Sequence, residues 1–344
     1  APRSRSPMSR DRVVSAGAAN PLEEQANLAL RPIRLDEYVG QRELIERLSI
    51  ALQAVRERQE AMEHVLLHGP PGLGKTTLAH VIAAEMGSRA YVTSGPALSK
   101  AGDLVGTLTR LEPRDVLFID EIHRLPAAVE EYIYPAMEDF RVDFTVDSGL
   151  HARTVTINLQ PFTLIGATTR AGLLTQPLRS RFGIAHHLSY YGLDELVRIL
   201  RRAAGILRIE PQPDALRIVA SRSRGTPRVA LRLLRRVRDF AQVRAAGSLD
   251  EAVIEQALQL EGVDRQGLDE IDRKYLKVLA GVYDGGPAGL EAIAASMGED
   301  PGTLEDMVEP YLLQIGFLAR TRQGRMLTPA GKAHLGPEGS GRLF

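Results

Sequence analysis

Apolar residues recur at helical spacing between Glu37 and Gln59, at Leu44, Leu48, Leu52 and Val55, and the segment ends in a charged run. This predicts a helix ahead of the first strand. The run His64 to His68 is short, apolar and stopped by Gly69; beyond it Leu78, Ile82 and Met86 mark a helix closed by Gly87. The order is strand, loop, helix. A second cycle predicts a strand at Tyr91 to Thr93, a helix over Leu98 to Leu111, and a strand at Asp115 to Asp120 with too many large apolar residues to be half exposed. Phe162 to Gly166 is a third strand of that kind. Strands alternating with helices predict an α/β fold, a parallel sheet covered on both faces.

One piece breaks the alternation. Val142, Phe144 and Val146, then Val155, Ile157 and Leu159, alternate with polar residues around Ser148-Gly149. Phe140 to Leu159 therefore reads as a β-hairpin inserted before the third strand and projecting from the domain. After Gly192 the strand pattern stops, and Leu193 to Gln259 reads as several helices with a break at Gly225 to Pro227. Helices at Ile271 to Val282, Leu290 to Met297 and Thr303 to Ile315, followed by two short strands around Arg322-Gln323-Gly324, fit a winged-helix module. The expected organisation is an arm over 1–27, a large α/β domain over 28–191, a small all-helical domain over 192–262 and a C-terminal winged-helix domain over 263–344.

With 344 residues, 44% of them hydrophobic and 25% charged, the chain has the composition of an ordinary globular protein of two or three domains. Lys+Arg and Asp+Glu both total 43, so net charge carries no hint of a partner, but its distribution does. Arg217 to Arg244 holds nine arginines and one acid, whereas Asp284 to Glu309 holds seven acids and no Lys or Arg. The absence of cysteine excludes disulfides, thiolate metal sites and thiol catalysis. The stretch 1–27 is polar, bears arginines and lacks the apolar core of a signal peptide. It reads as a flexible arm on a cytoplasmic protein, with no membrane partner.

The strongest chemical signal is Gly69-Pro-Pro-Gly72-Leu-Gly74-Lys75-Thr76, which follows an apolar strand and opens a helix. Its glycines let backbone N–H groups close around phosphate oxygens at a helix N-terminus. Lys75 supplies a point charge for the β- and γ-phosphates, and Thr76 a hydroxyl ligand for Mg²⁺, so ATP and Mg²⁺ are the expected cofactors. Asp120 and Glu121 end an apolar strand 45 residues after Lys75, as a metal-organising acid and a water-polarising acid on the neighbouring strand would. Adjacent acids at a strand end also suit a solvated turn; the phosphate loop favours the catalytic reading. Thr169 closes the third strand, where it either orients water or caps the backbone. Arg181, before an aromatic, suits a guanidinium delivered to the γ-phosphate, or a surface ion pair. Arg228 follows a proline-fixed helix start from which it could reach back to the nucleotide. Most of the other arginines nearby read as a solvated or subunit-facing surface. In the last segment the third helix carries Glu305, Asp306 and Glu309 and is a poor reader of DNA; the wing, with Arg320, Arg322 and Arg325, is the better candidate.

Together these residues resemble the AAA+ ATPases, from about Leu30 to Gly336. The most specific stretches are LRPIRLDEYVGQ, HGPPGLGKTTLAHVIA, DVLFIDEIHRL, YPAMEDF, FTLIGATTRAG, PLRSRFGI, RGTPRVALRLLRRVRDFA and EPYLLQIGFLARTRQGRM. Within that family the match is to the ring-forming, homo-hexameric motors that move four-way DNA junctions in recombination and repair. The resemblance implies that Lys75, Thr76 and Thr77 are phosphate and metal residues, Asp120 and Glu121 the Walker B pair, Thr169 the first sensor and Arg228 the second. Arg181 becomes the arginine finger presented to a neighbouring subunit. It further implies nucleotide contacts at Leu30, Arg31, Tyr191 and the backbone of Glu138, Asp139 and Phe140. DNA contacts are implied at Arg320 and Arg325, and a junction-holding partner protein on the hairpin Phe140 to Leu159; a junction-cutting resolvase is a further partner. Arg322-Gln323 departs from a more usual Pro-Arg in the wing, and Pro301 stands where relatives can carry a base.

Overall fold

The computed structural model describes residues 12–15, 28–146, 153–212 and 214–336. These form two compact units whose boundary falls between Glu195 and Leu196, with residues 12–15 belonging to the second.

In the first unit a 3-10 turn at Leu35–Glu37 leads into α1 (Arg42–Arg58), which buries Leu44, Leu48, Leu52 and Val55 as their spacing predicts. Then come β1 (Val65–His68), α2 (Lys75–Met86), β2 (Ala90–Ser94), α3 (Ala101–Leu108), β3 (Val116–Asp120) and α4 (Ala127–Glu138). The hairpin strands β4 (Arg141–Val146) and β5 (Arg153–Asn158) follow, then β6 (Thr163–Thr168), α5 (Gln176–Ser180) and β7 (Ile184–His187). Five strands form one parallel sheet in the order β2-β3-β6-β1-β7. The acid-bearing strand was expected beside the strand of the phosphate loop, and this is corrected: β6 lies between β3 and β1. Burial explains the order. β6 is covered at every position and takes the centre, whereas β2 and β7 are half exposed and form the edges. The helix expected over Leu98 to Leu111 is shorter, a 3-10 turn at Gly95–Ala97 followed by α3. Strands β4 and β5 pair antiparallel, with Val142 opposite Ile157 and Asp143 opposite Thr156; Ser148-Gly149 lies outside the described residues.

The second unit takes all but the first turn of α6 (Leu193–Ile206), then α7 (Ala215–Ser221), α8 (Pro227–Arg244) and α9 (Glu251–Leu260), followed by α10 (Glu270–Gly281) and α11 (Leu290–Met297). The third helix of the winged module is not continuous. It runs from α12 (Pro301–Thr303) through a π turn at Leu304–Val308 into α13 (Glu309–Gln314). Pro310 has no N–H to give and its ring crowds the carbonyl four residues back, which the widened turn relieves. The wing strands β8 (Leu318–Thr321) and β9 (Gly324–Leu327) and a last helix α14 (Pro329–Leu335) complete the unit around a core centred on Tyr275, Leu276, Leu279 and Leu312.

Two expectations change here. Residues 12–15, read as part of a flexible arm, are docked: Val14 is buried and the Arg12 guanidinium bonds both Asp269 (2.7 Å) and Asp272 (2.6 Å). The main chain of the same segment accepts three bonds from Arg232, through the carbonyls of Arg12, Val13 and Ser15. The second change concerns the arginine-rich stretch, which is not all surface. Arg222, Arg224 and Arg232 are buried, Arg222 pairing with Glu255 at 2.5 Å and Arg224 with Asp272. A buried guanidinium needs such a partner, and segregated sequence charge conceals it because the acids lie more than 30 residues away.

Candidate nucleotide site and DNA-facing wing

Three glycines of the phosphate loop have the positive φ that other residues resist, Gly69 at 134°, Gly72 at 80° and Gly74 at 96°. Space enforces the choice as well: a Cβ on Gly69 would stand 2.6 Å from the carbonyl oxygen of Leu188, and one on Gly74 2.9 Å from the Tyr38 hydroxyl. The loop opens directly into α2, whose first residue is the buried Lys75. Lys75 Nζ donates to the carbonyls of Gly69 and Pro70, both at 2.8 Å, so the ammonium is folded over the mouth of the loop. Thr76 and Thr77 follow, half buried. A cation, a glycine-hinged backbone and a helix N-terminus at one point suit a polyphosphate.

At the same edge of the sheet β3 delivers Asp120 and Glu121, and β6 delivers Thr168 and Thr169. Glu121 has a left-handed backbone (φ 47°), which turns it off the strand axis. Its Oε2 accepts from the Thr169 hydroxyl at 3.2 Å and lies 3.2 Å from His123 Nδ1. Asp120 Oδ1 accepts from the Glu121 N–H at 3.0 Å. Burial holds the His123 imidazole below its usual range against the raising influence of Glu121, and His123 Nδ1 also lies 2.8 Å from the Thr168 hydroxyl. Glu121 is thus aimed by Thr169, a contact that neither residue's place in the sequence announced. His123 was missed; a lone histidine three residues past Asp120 carries no pattern of its own.

Arg181 ends α5 and lies against α4. Its Cζ is 4.3 Å from the centroid of the Tyr134 ring, one guanidinium nitrogen is 3.1 Å from Glu138 Oε1 and another donates to the Pro177 carbonyl at 2.7 Å. Glu130, Tyr134 and Glu138 share one face of α4 at four-residue spacing, the signal that sequence reading passed over. The backbone of Glu138 to Phe140 carries the chain from α4 into β4, with Phe140 at φ 49° and its ring edge-on to Phe162. Leu30 is buried and Arg31 half buried. Tyr191 packs on Gly40, where a Cβ would meet its ring at 2.5 Å. Its hydroxyl stands 3.2 Å from both the Leu73 carbonyl and the Tyr38 hydroxyl, under the loop. Burial raises both phenols, Tyr38 to about 12, so they remain protonated donors.

Arg228 belongs to the second unit. It is the second residue of α8, after Thr226 at the N-cap and Pro227 at the first helical position. On the wing, Arg320 and Arg325 face each other across the β8–β9 pair, and both turn inward. Fully buried Glu309 accepts from Arg320 Nε at 2.8 Å, from Arg325 Nε at 3.0 Å and from the Tyr275 hydroxyl at 2.8 Å. Exposed Glu305 lies 3.5 and 3.6 Å from the same two arginines. Arg322 at the turn is exposed.

A phosphate loop on an inner strand, with acids and a hydroxyl at the ends of the two strands beyond it and a helical lid following, defines an AAA+ P-loop nucleotide-binding domain. Profiles of known families agree over nearly the whole chain: the Holliday junction DNA helicase RuvB P-loop domain matches 30–188, the RuvB AAA lid domain 191–264 and the RuvB C-terminal winged helix domain 265–336. The chain belongs to the RuvB family. Among solved structures, the Thermotoga maritima RuvB Holliday junction branch migration motor is 51% identical, with 89% of this chain and 98% of that one covered at a TM-score of 0.80. A single-residue variant of the same protein is 50% identical, with the same coverage and TM-score. Among the described residues no helix is long and apolar enough to cross a membrane.

Proposed function

We propose that this protein is an ATP-driven DNA motor that moves Holliday junctions by branch migration in recombination and repair. The observation that carries the reading is one chain holding the P-loop, lid and winged-helix domains of the RuvB family in order. Lys75 and the loop N–H groups bind the β- and γ-phosphates of ATP. The residues that would hold a divalent ion, Mg²⁺ in this reading, are Thr76 and Asp120, and the ion would neutralise phosphate charge. Glu121, aimed by Thr169, polarises the attacking water and takes its proton. Arg181 stabilises the charge at the γ-phosphate of a neighbouring subunit in a homo-hexameric ring, and Arg228 senses the nucleotide from the lid. Leu30, Arg31 and Tyr191 frame the rest of the nucleotide. The ring works with a RuvA-type partner docked on the hairpin Phe140 to Leu159 and a RuvC-type resolvase, in the cytoplasm, as part of the response to DNA damage.

Arg320 and Arg325 are read as DNA contacts despite their inward pairing. In that role they exchange part of the Glu305 and Glu309 pairing for phosphate oxygens, with Arg322 adding a free charge at the turn. The division into an arm over 1–27, an ATPase domain over 28–191, a lid over 192–262 and a winged-helix domain over 263–344 is the plan for truncations, with residues 12–15 kept in any piece that holds the lid and winged-helix domains. Steady-state phosphate release tests the reading. Four-way junction or duplex DNA is expected to stimulate sustained turnover and an unfolded protein is not; stimulation by the unfolded protein alone contradicts it.

A further inference from the structure

Arg181 sits in a cradle that only partly satisfies it. Its guanidinium lies over the Tyr134 ring, 4.3 Å from the centroid, and bonds the Pro177 carbonyl at 2.7 Å. The third partner, Glu138, is 56% exposed, so water screens the 3.1 Å pair and weakens it. The Arg181 Nε is buried and has no hydrogen-bond acceptor among the described residues. Two anchors are therefore fixed and one is replaceable, and a buried donor is left over. An arginine whose whole task was a surface ion pair would have no reason to bury an unsatisfied N–H.

The ring beneath it is itself pinned. The Tyr134 hydroxyl donates to Glu130 and lies 3.3 Å from the Thr175 hydroxyl, and Thr175 also donates to Glu130. Thr175 is the N-cap of α5, accepting from the Leu178 N–H at 3.3 Å, and α5 is the helix that carries Arg181 at its end. Glu130 is buried. Burial and the bond to Glu130 both hold the phenol protonated and a donor. The network ties α4 to the start of α5 and fixes the plane on which the guanidinium rests.

We infer that Tyr134 is the positioning residue of Arg181: its ring, locked by Glu130 and Thr175, presents the guanidinium edge toward a γ-phosphate, which displaces the exposed Glu138 carboxylate. This rests on the reading of Arg181 as the arginine offered to a neighbouring subunit. Tyr134 touches no substrate; it sets where Arg181 points, and a flat aromatic face does so without consuming guanidinium N–H donors.

The test mixes full-length chains. Tyr134→Ala alone lowers the turnover number about tenfold with nucleotide affinity little changed, since the phosphate loop of the same chain is intact. Tyr134→Phe, which keeps the ring, stays within about threefold. Lys75→Ala chains are inactive alone but carry a sound Arg181. Mixing them with Tyr134→Ala chains restores turnover at sites that combine the loop of one with the arginine of the other. Arg181→Ala mixed with Lys75→Ala runs in parallel. If the Arg181→Ala mixture is rescued and the Tyr134→Ala mixture is not, while Tyr134→Ala still binds nucleotide, the positioning role is wrong and the trans reading survives. If neither is rescued, the trans reading falls and the inference with it. Equal loss in Tyr134→Phe and Tyr134→Ala also overturns it, because the ring is then not what matters. Should Tyr134→Ala bind no nucleotide, Tyr134→Leu replaces it in the same mixtures, where rescue supports the positioning role and failure of rescue overturns it.

Discussion

Arg181 and Arg224 rest on tyrosine rings in almost the same way, 4.3 Å above Tyr134 and 4.6 Å above Tyr311, yet their remaining donors are treated differently. Arg224 is 6% exposed; it donates to the Gly267 carbonyl at 2.8 Å and to Asp272, a carboxylate with no exposure at all. Arg181 pairs with an exposed carboxylate and keeps a buried Nε without an acceptor. The stack is common to both and explains neither role. What differs is whether the remaining donors are closed off, as at a structural joint, or left replaceable, as the proposed role of Arg181 in taking up and releasing a phosphate requires.

The comparison is broken most severely from the Arg181 side. Arg181→Ala should lower turnover by about a thousandfold, the scale of a missing transition-state guanidinium, and leave the denaturant midpoint unchanged. A phosphate-release assay and an unfolding curve on the same preparation check both halves. On the other side, Arg12→Ala takes one of two guanidinium partners from buried Asp272 and should destabilise the lid and winged-helix unit by about 3 kcal/mol, read from urea unfolding. The exposed Arg322→Ala should stay within about 0.5 kcal/mol.

The acid side of that joint gives a smaller, signed effect. Asp269 is raised by burial but pulled down by its bonds to Arg12, to about 2 overall. A carboxyl lowered in the folded state stabilises above its ordinary pKa and loses that contribution as pH falls toward 2. The contribution is about 2.5 kcal/mol, roughly half of it gone by pH 3. Asp272, raised by burial, has the opposite slope, so the useful quantity is the change in unfolding free energy between pH 5 and 3. That change should be smaller in Asp269→Asn than in the unaltered chain. The smallest effect belongs to the wing. Glu309→Gln removes the charge that holds Arg320 and Arg325 inward and should tighten duplex binding about threefold with a steeper salt dependence, measured by fluorescence anisotropy.

The parts legible in sequence were those set by neighbours in the chain. The phosphate loop, the acid pair, Thr169 and the winged-helix order all follow from local spacing, whereas the contact between Glu121 and Thr169 joins two strands and is visible only in the fold. The hidden parts depend on partners distant in sequence. Insertion of β6 between β3 and β1 is a property of the sheet rather than of any strand. Strand β7, Ile-Ala-His-His, is short and half exposed and lacks the apolar run that marked the others. Residues 12–15 looked like arm because their acids stand some 257 residues away. Tyr134 was hidden by its own surroundings, since a tyrosine in an amphipathic helix reads as core until Arg181 is seen above it.

The most direct measurement is branch migration of a synthetic four-way junction by the full chain with a RuvA-type partner, beside the Lys75→Ala and Glu121→Gln variants. ATP-dependent junction movement is expected from the unaltered chain and none from either variant, with Glu121→Gln still binding nucleotide. Movement retained in both variants would contradict it.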